Sequence, residues 1–214
     1  MAPRAVIFDF NGTLSDDEPV LCRVFRELFA EHGRPLTERQ YYDELAGHSD
    51  EEIVLRWLGR DHPAVEQVVA ERISRYRSLV GDGSTIGEEA RAVVRYAAER
   101  GPVAIVSGAA RAEIEPVVEA AGLMPLFRTI VPADDVVHGK PDPEGYVRAL
   151  EILDGGLDPD DVLVFEDTEA GVASAKAAGM RCVALTRTLG AARLAQADEL
   201  VPELRLEDIR RLLG

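Results

Sequence analysis

The feature that most constrains the fold is a set of short apolar runs: Ala5–Phe8, Val103–Val106, Thr129–Val131, Val162–Phe165 and Cys182–Leu185, with a weaker one near Leu200-Val201. Their apolar residues are consecutive rather than alternating. A strand with one face in water alternates polar and apolar side chains. A run that is apolar on both faces is expected where both are covered, as in a parallel sheet with helices on each side. Between the runs lies helical spacing: Ala90, Val93, Val94 and Ala97; Ile114, Val117, Val118 and Ala121; Val147, Leu150 and Ile152-Leu153; Val172, Ala175 and Ala178. Strand alternating with helix predicts an α/β fold with a doubly wound, Rossmann-like parallel sheet. Such sheets bind ligands beyond the carboxyl ends of their strands.

One stretch breaks the alternation. From Ser15 to Ser84 only helical stripes occur: Val20-Leu21, Val24-Phe25 and Leu28-Phe29; Ile53-Val54 and Trp57-Leu58; Val65, Val68-Val69, Ile73 and Tyr76. Gly33-Arg34-Pro35, Gly59 to Pro63 and Gly81-Asp82-Gly83-Ser84 punctuate them. The reading is an all-helical cap, residues 16–84, inserted after the first strand of a core made of residues 1–15 and 85–214. It leaves the sheet through Leu14–Asp17 and returns near Ser84–Gly87, so it is placed to act as a lid over the strand ends.

A chain of 214 residues can bury a core of this size. Its 39 acidic residues against 24 basic ones, a net −15, argue against a nucleic-acid surface, which needs basic patches. Anions could still bind where a metal and a few cations concentrate positive charge. Cys22 and Cys182 are far apart in apolar contexts, which reads as free buried thiols in a reducing compartment. Met1-Ala2-Pro3-Arg4 runs into the first strand without the apolar core of a signal peptide, and the apolar runs fall short of the ~20 residues that span a bilayer. A cytoplasmic protein without membrane or nucleic-acid partners is expected, as a monomer or weak homodimer.

Four segments stand where strands should end. Asp9-Phe10-Asn11-Gly12-Thr13 offers a carboxylate as nucleophile or metal ligand, although the same residues could form a plain turn. Ser107-Gly108 offers a hydroxyl and free amides ahead of a helix beginning near Ala110, an anion cradle or an ordinary helix-leading turn. In Gly139-Lys140-Pro141-Asp142-Pro143 a lysine is held between glycine and proline, with Asp142 suited to cap the helix that follows. Glu166-Asp167-Thr168 places two acids side by side, which repel unless a cation joins them; the plainer reading has Asp167 capping the next helix. With Asp9 they make an all-oxygen environment suited to Mg²⁺.

In this order, with a helical insert after the first, the four segments resemble the motifs of the haloacid dehalogenase superfamily. Phe165-Glu166-Asp167-Thr168, followed by Gly171, Val172, Ala175 and Ala178-Gly179-Met180, resembles its β-phosphoglucomutase-like branch. The resemblance implies a Mg²⁺-dependent phosphatase acting on a small phosphorylated metabolite. In that scheme Asp9 attacks phosphorus and forms an aspartyl-phosphate, which water then cleaves. The metal would be held by Asp9, the backbone carbonyl of Asn11 and Asp167, with Glu166 acting through water. Ser107, Gly108 and Lys140 would bind the phosphoryl group.

The chain departs from the family at position 11, where its phosphatases carry an Asp that moves protons. Asn11 keeps the carbonyl but cannot exchange a proton, a loss worth ~10²–10⁴ in rate. Three accounts follow. Asp16, Asp17 or His48 could supply the proton; the substrate could have a good leaving group, as an acyl phosphate does; or the chain could be a weak enzyme or a phosphate-binding relic. A phosphosugar mutase is a further alternative, set against by Asn11 and by Asp50, which stands where similar mutase lids carry Arg. Arg56, Arg60, Arg72, Arg75 and Arg77 are lid residues that could meet a substrate or face water.

Overall fold

The computed structural model describes residues 2–153 and 155–214. A six-stranded parallel sheet in the order β3-β2-β1-β4-β5-β6 forms its centre. The strands are β1 (Ala5–Phe8), β2 (Val103–Val106), β3 (Phe127–Val131), β4 (Val162–Glu166), β5 (Arg181–Leu185) and β6 (Glu199–Val201). All side chains of β1, β2 and β4 are buried, which is why these three read as unbroken apolar runs. β3 and β6 are edge strands and show partly exposed positions, so their sequences carry a weaker strand signal. For the same reason β3 starts at Phe127, two residues before the apolar run at Thr129.

The chain winds from β1 outward to β3 and then crosses back to place β4 on the other side of β1. The tips of β1 and β4 therefore flank the point where the winding reverses, the usual ligand crevice of such sheets. Phe8 pairs with Phe165 in register, their rings stack at 5.5 Å, and the Asp9 amide donates to the Phe165 carbonyl at 2.9 Å. That register brings Asp9 beside Glu166 and Asp167.

Helices α5 (Glu88–Ala98), α6 (Arg111–Ala120), α7 (Glu144–Leu153) and α8 (Glu169–Ala177) coincide with the helical spacings read between the strands. The final helix α9 (Leu206–Leu213), which packs on α5, was not among them. The stretch between β1 and α5 is helical among its described residues: α1 (Glu18–Glu31), the short α2 (Glu38–Gln40) running into a wide turn at Tyr41–Leu45, α3 (Asp50–Leu58) and α4 (Val65–Val80). Its two connections to the sheet touch, with the Asp16 amide donating to the Thr85 carbonyl at 2.8 Å and the Ser15 hydroxyl to Thr85 Oγ1 at 2.7 Å. No helix among the described residues is long and apolar enough to cross a membrane. Cys22 and Cys182 are both free and buried.

Candidate active site

The strand tips bring Asp9, Lys140, Glu166 and Asp167 together in one buried cluster. Lys140 Nζ reaches across the sheet, donating to Asp9 Oδ1 at 2.6 Å, to Glu166 Oε1 at 2.5 Å and to the Val106 carbonyl at 3.1 Å. The Lys140–Pro141 peptide is cis. Asp142 Oδ1 accepts from the Glu144 amide at 3.0 Å and so caps α7, as its position suggested.

Glu166 is completely buried, and its oxygens are heavily used. The Tyr146 hydroxyl joins Lys140 on Oε1, while Oε2 accepts from the amides of Asp167 and Thr168 and from the Thr168 hydroxyl. Burial alone would raise its pKa, but the Lys140 ammonium and the two amides outweigh burial and hold it below the usual carboxylate value. At Lys140 the carboxylates of Asp9 and Glu166 outweigh burial and hold the ammonium above the ordinary lysine pKa.

Asp167 is the opposite case. Burial, then the neighbouring charges of Asp9 and Glu166, push it well above the usual carboxylate range. Its Oδ1 accepts only a long bond of 3.3 Å from Thr13, and its buried Oδ2 has no partner. Thr168, not Asp167, caps α8 by accepting from the Gly171 amide at 3.0 Å, so Asp167 has no capping duty. Asp9 is likewise raised by burial and by Glu166, against the pull of Lys140.

Ligand atoms of Asp9, Glu166 and Asp167 lie within 4.8 Å of one another. Three clustered carboxylates, one with an orphaned buried oxygen, fit a hard divalent cation. The backbone leaves room for this arrangement. A side chain at Gly12, whose φ is +73°, would put its Cβ 1.9 Å from Asp167 Oδ2, and one at Gly171 would lie 1.7 Å from Glu166 Oε1. The Gly12-Thr13 turn is braced by Arg187, which donates to the Gly12 and Thr13 carbonyls at 3.0 and 3.2 Å. Nothing in the local sequence after β5 marked Arg187 for that contact.

Above the tips opens a cavity of about 250 Å³. Asp9, Asn11, Ser107, Gly108 and Lys140 line its floor, so all the strand-tip candidates except Glu166 and Asp167 reach it. Ser107 Oγ accepts from the Ala109 amide at 3.1 Å in a short turn before α6, which starts at Arg111. Glu18, Tyr41, His48, Asp50 and Arg72 line the helical side.

The Asn11 amide is turned away to the hinge, donating to Asp17 Oδ2 at 2.8 Å and to the Tyr76 hydroxyl at 3.2 Å. Asp17, fully buried, also accepts from Tyr76 and the Gly12 amide and does not line the cavity. Asp16 is exposed, with its carboxylate 3.6 Å from Arg187. His48 lines the cavity with Nδ1 held 3.1 Å from Glu52. Of the three residues considered as substitutes for position 11, only His48 lines the cavity, and the acid that lines it together with Asp9 and Asn11 is Glu18, which was not singled out in the sequence. An acid in the first turn of a helix ordinarily reads as a complement to the helix dipole, so no sequence signal set Glu18 apart.

Of the lid arginines only Arg72 lines this cavity. It is buried and ion-paired with Asp50 on α3 and with the buried Glu113 on α6, which ties the helical stretch to the core. Arg56 pairs with Glu52, and Arg75 with Glu31 and Glu71.

Comparison with known proteins agrees with this geometry. The model of the haloacid dehalogenase-like hydrolases matches residues 3–179. The validoxylamine A 7'-phosphate phosphatase of Streptomyces hygroscopicus subsp. limoneus is 31% identical over 206 residues, 94% of each chain. A phosphoglycolate phosphatase of Pseudomonas putida is 28% identical, covering 99% of this chain and 79% of its own length. Among solved structures, a mutant CbbY of Rhodobacter sphaeroides in complex with xylulose-(1,5)bisphosphate superposes with a TM-score of 0.79 at 25% identity over 95% of each chain. A β-phosphoglucomutase of Clostridium difficile shares the fold, with a TM-score of 0.82 at 20% identity over 99% of this chain and 97% of its own.

Proposed function

The chain belongs to the haloacid dehalogenase-like hydrolases, and from that premise we propose that it falls in their β-phosphoglucomutase-like branch and that its phosphatase chemistry runs as follows. It acts on a small phosphorylated metabolite. Asp9 attacks phosphorus in line with the leaving oxygen to form an aspartyl-phosphate, and water cleaves that intermediate. Ser107 and the Gly108 amide bind phosphoryl oxygens, and Lys140 offsets the repulsion between Asp9 and the incoming anion. Mg²⁺ would be held by Asp9, the Asn11 carbonyl and Asp167, where it would neutralise charge on the phosphoryl group. Glu166, its oxygens committed to Lys140 and backbone amides, orients Lys140 and reaches a metal only through water. Residues 16–84 form the lid domain over residues 1–15 and 85–214. A cytoplasmic location agrees with the two free thiols.

The observation that carries this reading is the buried Asp9–Lys140–Glu166 chain beside an Asp167 with an orphaned oxygen. The cavity also bears on substrate class. Every basic side chain lining it faces carboxylates: Lys140 faces Asp9 and Glu166, Arg72 faces Asp50 and Glu113, His48 faces Glu52 and His138 faces Glu144. A second anionic group in the cavity would therefore find no unpaired basic side chain among the described lining residues, which favours a monophosphate with an uncharged or cationic body.

The test uses p-nitrophenyl phosphate. Turnover should vanish with EDTA, return with Mg²⁺ and be lost in Asp9→Asn, and acid-quenched enzyme should carry hydroxylamine-labile phosphate. Turnover that survives in Asp9→Asn overturns the reading.

A further inference from the structure

Phosphoryl transfer to and from Asp9 needs a group that gives up a proton and takes it back, and Asn11 cannot do so. Its amide is also engaged on the hinge side, with Asp17 and Tyr76, rather than aimed at the cavity. Asp17 is sealed behind it, and Asp16 lies in solvent. Among the described residues, the cavity nevertheless contains one carboxyl beside Asp9 and Asn11 that neither belongs to the strand-tip cluster nor pairs with a cation. Glu18 opens α1, lines the cavity with Asp9 and Asn11, and accepts a hydrogen bond on Oε1 from the buried Tyr41 hydroxyl at 2.8 Å. The remaining acids that line the cavity are committed elsewhere, Asp50 to Arg72 and Asp142 to the cap of α7.

We propose that Glu18 is the proton-transfer residue of this enzyme, taking over from position 11, and that its substrates are therefore phosphate esters of ordinary alcohols rather than activated acyl phosphates. The proposal rests on the two-step reading above. In the first step an Asp9 oxygen bonds to phosphorus while the phosphorus–oxygen ester bond breaks. The leaving alkoxide takes the Glu18 proton and departs as the alcohol, and Glu18 becomes a carboxylate. In the second step a water oxygen bonds to phosphorus as the bond to Asp9 breaks, and Glu18 takes the water's proton. Asp9 is restored as a carboxylate, inorganic phosphate leaves, and Glu18 is again protonated.

The surroundings suit a group that alternates between the two forms at neutral pH. Burial first, then the charges of Asp17 and Asp9, raise Glu18 to about 7, against the pull of the Tyr41 hydrogen bond. The groups facing it are Asp17 just ahead of its helix, Cys22 on that helix, Asp9 and Asp167 at the strand tips, and Tyr41 and Tyr42 from the wide turn. Across the cavity stand His48, Asp50 and Arg72. Tyr41 fixes one oxygen of Glu18 and leaves the other free for the proton.

The experiment compares phenyl phosphate, a poor leaving group, with p-nitrophenyl phosphate, a good one, in the wild type and in Glu18→Gln. The expected result is a fall in kcat/KM of about 10²-fold or more with phenyl phosphate and a much smaller one with p-nitrophenyl phosphate. With p-nitrophenyl phosphate the variant should also release a burst of nitrophenolate equal to the enzyme concentration, because the water step has lost its base. The alkaline limb of the wild-type kcat/KM profile should disappear, and Asn11→Asp placed in Glu18→Gln should restore phenyl phosphate turnover. Equal losses with both esters, or no loss and no burst, overturn the role of Glu18 while leaving the Asp9 reading intact. A wild type inert toward both esters overturns the two-step reading and this proposal with it.

Discussion

The two walls of the cavity are built on different principles. On the strand-tip wall, Lys140 and Glu166 are locked by several contacts each, Lys140 holds Asp9, and β1 and β4 pair in a fixed register beneath them. On the helical wall, single side chains project from separate helices, and the Arg72 ion pairs with Asp50 and Glu113 join that wall to itself and to the core. The strand-tip wall can therefore hold reacting atoms in place, while the helical wall can change its side chains without disturbing the sheet. A proton-transfer duty can shift from position 11 to Glu18 more easily than a nucleophile can leave the tip of β1.

Substitutions on each wall probe that contrast. Asp9→Asn should lower kcat on the order of 10⁴-fold or more in steady-state assays, with little change in the unfolding midpoint, because it removes the nucleophile and keeps the shape. Residual turnover near wild type would mean that the strand tip is not the reacting wall. Arg72→Met should cost about 3–5 kcal/mol in urea unfolding, since it strands the buried Glu113. Adding Glu113→Leu should recover most of that loss. If the double variant is as unstable as the single one, the tie between the walls rests on packing rather than charge.

Lys140→Met should reduce kcat/KM about 10²–10³-fold, roughly 2.7–4 kcal/mol of transition-state stabilisation. It should also bring Asp9 and Glu166 to higher pKa values, which a shifted pH–rate profile would register. The smallest effect is on stability. Folded Glu18 keeps its proton up to about pH 7, against a value of 4.5 for the free side chain. Between these values the folded state binds more protons than the unfolded one, so stability falls as pH rises through that window. Glu18→Gln should flatten this slope and leave the variant about 2 kcal/mol more stable than wild type above pH 7, after allowance for the group's partial exposure. Parallel wild-type and variant curves from pH 4 to 8 would place Glu18 in water instead.

The strand-tip wall was largely legible beforehand, because a buried parallel strand leaves a continuous apolar signature and its first polar residue marks the tip. Asp9, Ser107, Lys140 and Glu166 all follow from that rule or from the glycine and proline that flank the lysine, and the Gly12 and Gly171 positions are explained by the carboxylates they would otherwise strike. The helical wall was not legible. Its stripes announced helices, but a stripe does not say which exposed-looking acid or arginine turns inward. Nothing local sets Glu18 apart from any other acid that opens a helix, and Arg72 is one of five lid arginines that the sequence does not separate. Asp17 looked as available as Asp16, although one is buried and the other exposed.

The sequence by itself determined the parallel sheet, the helical interruption after β1 and the identity of the residues at the strand ends, because local periodicity and burial on both faces are properties of contiguous residues. Only the tertiary structure decided that Lys140 bridges Asp9 to Glu166, that Thr168 rather than Asp167 caps α8, that Asn11 turns to the hinge and that Glu18 faces the cavity. Those outcomes depend on which side chains meet across the crossover and the hinge, and on charges whose energies are set by burial and by partners distant in the chain.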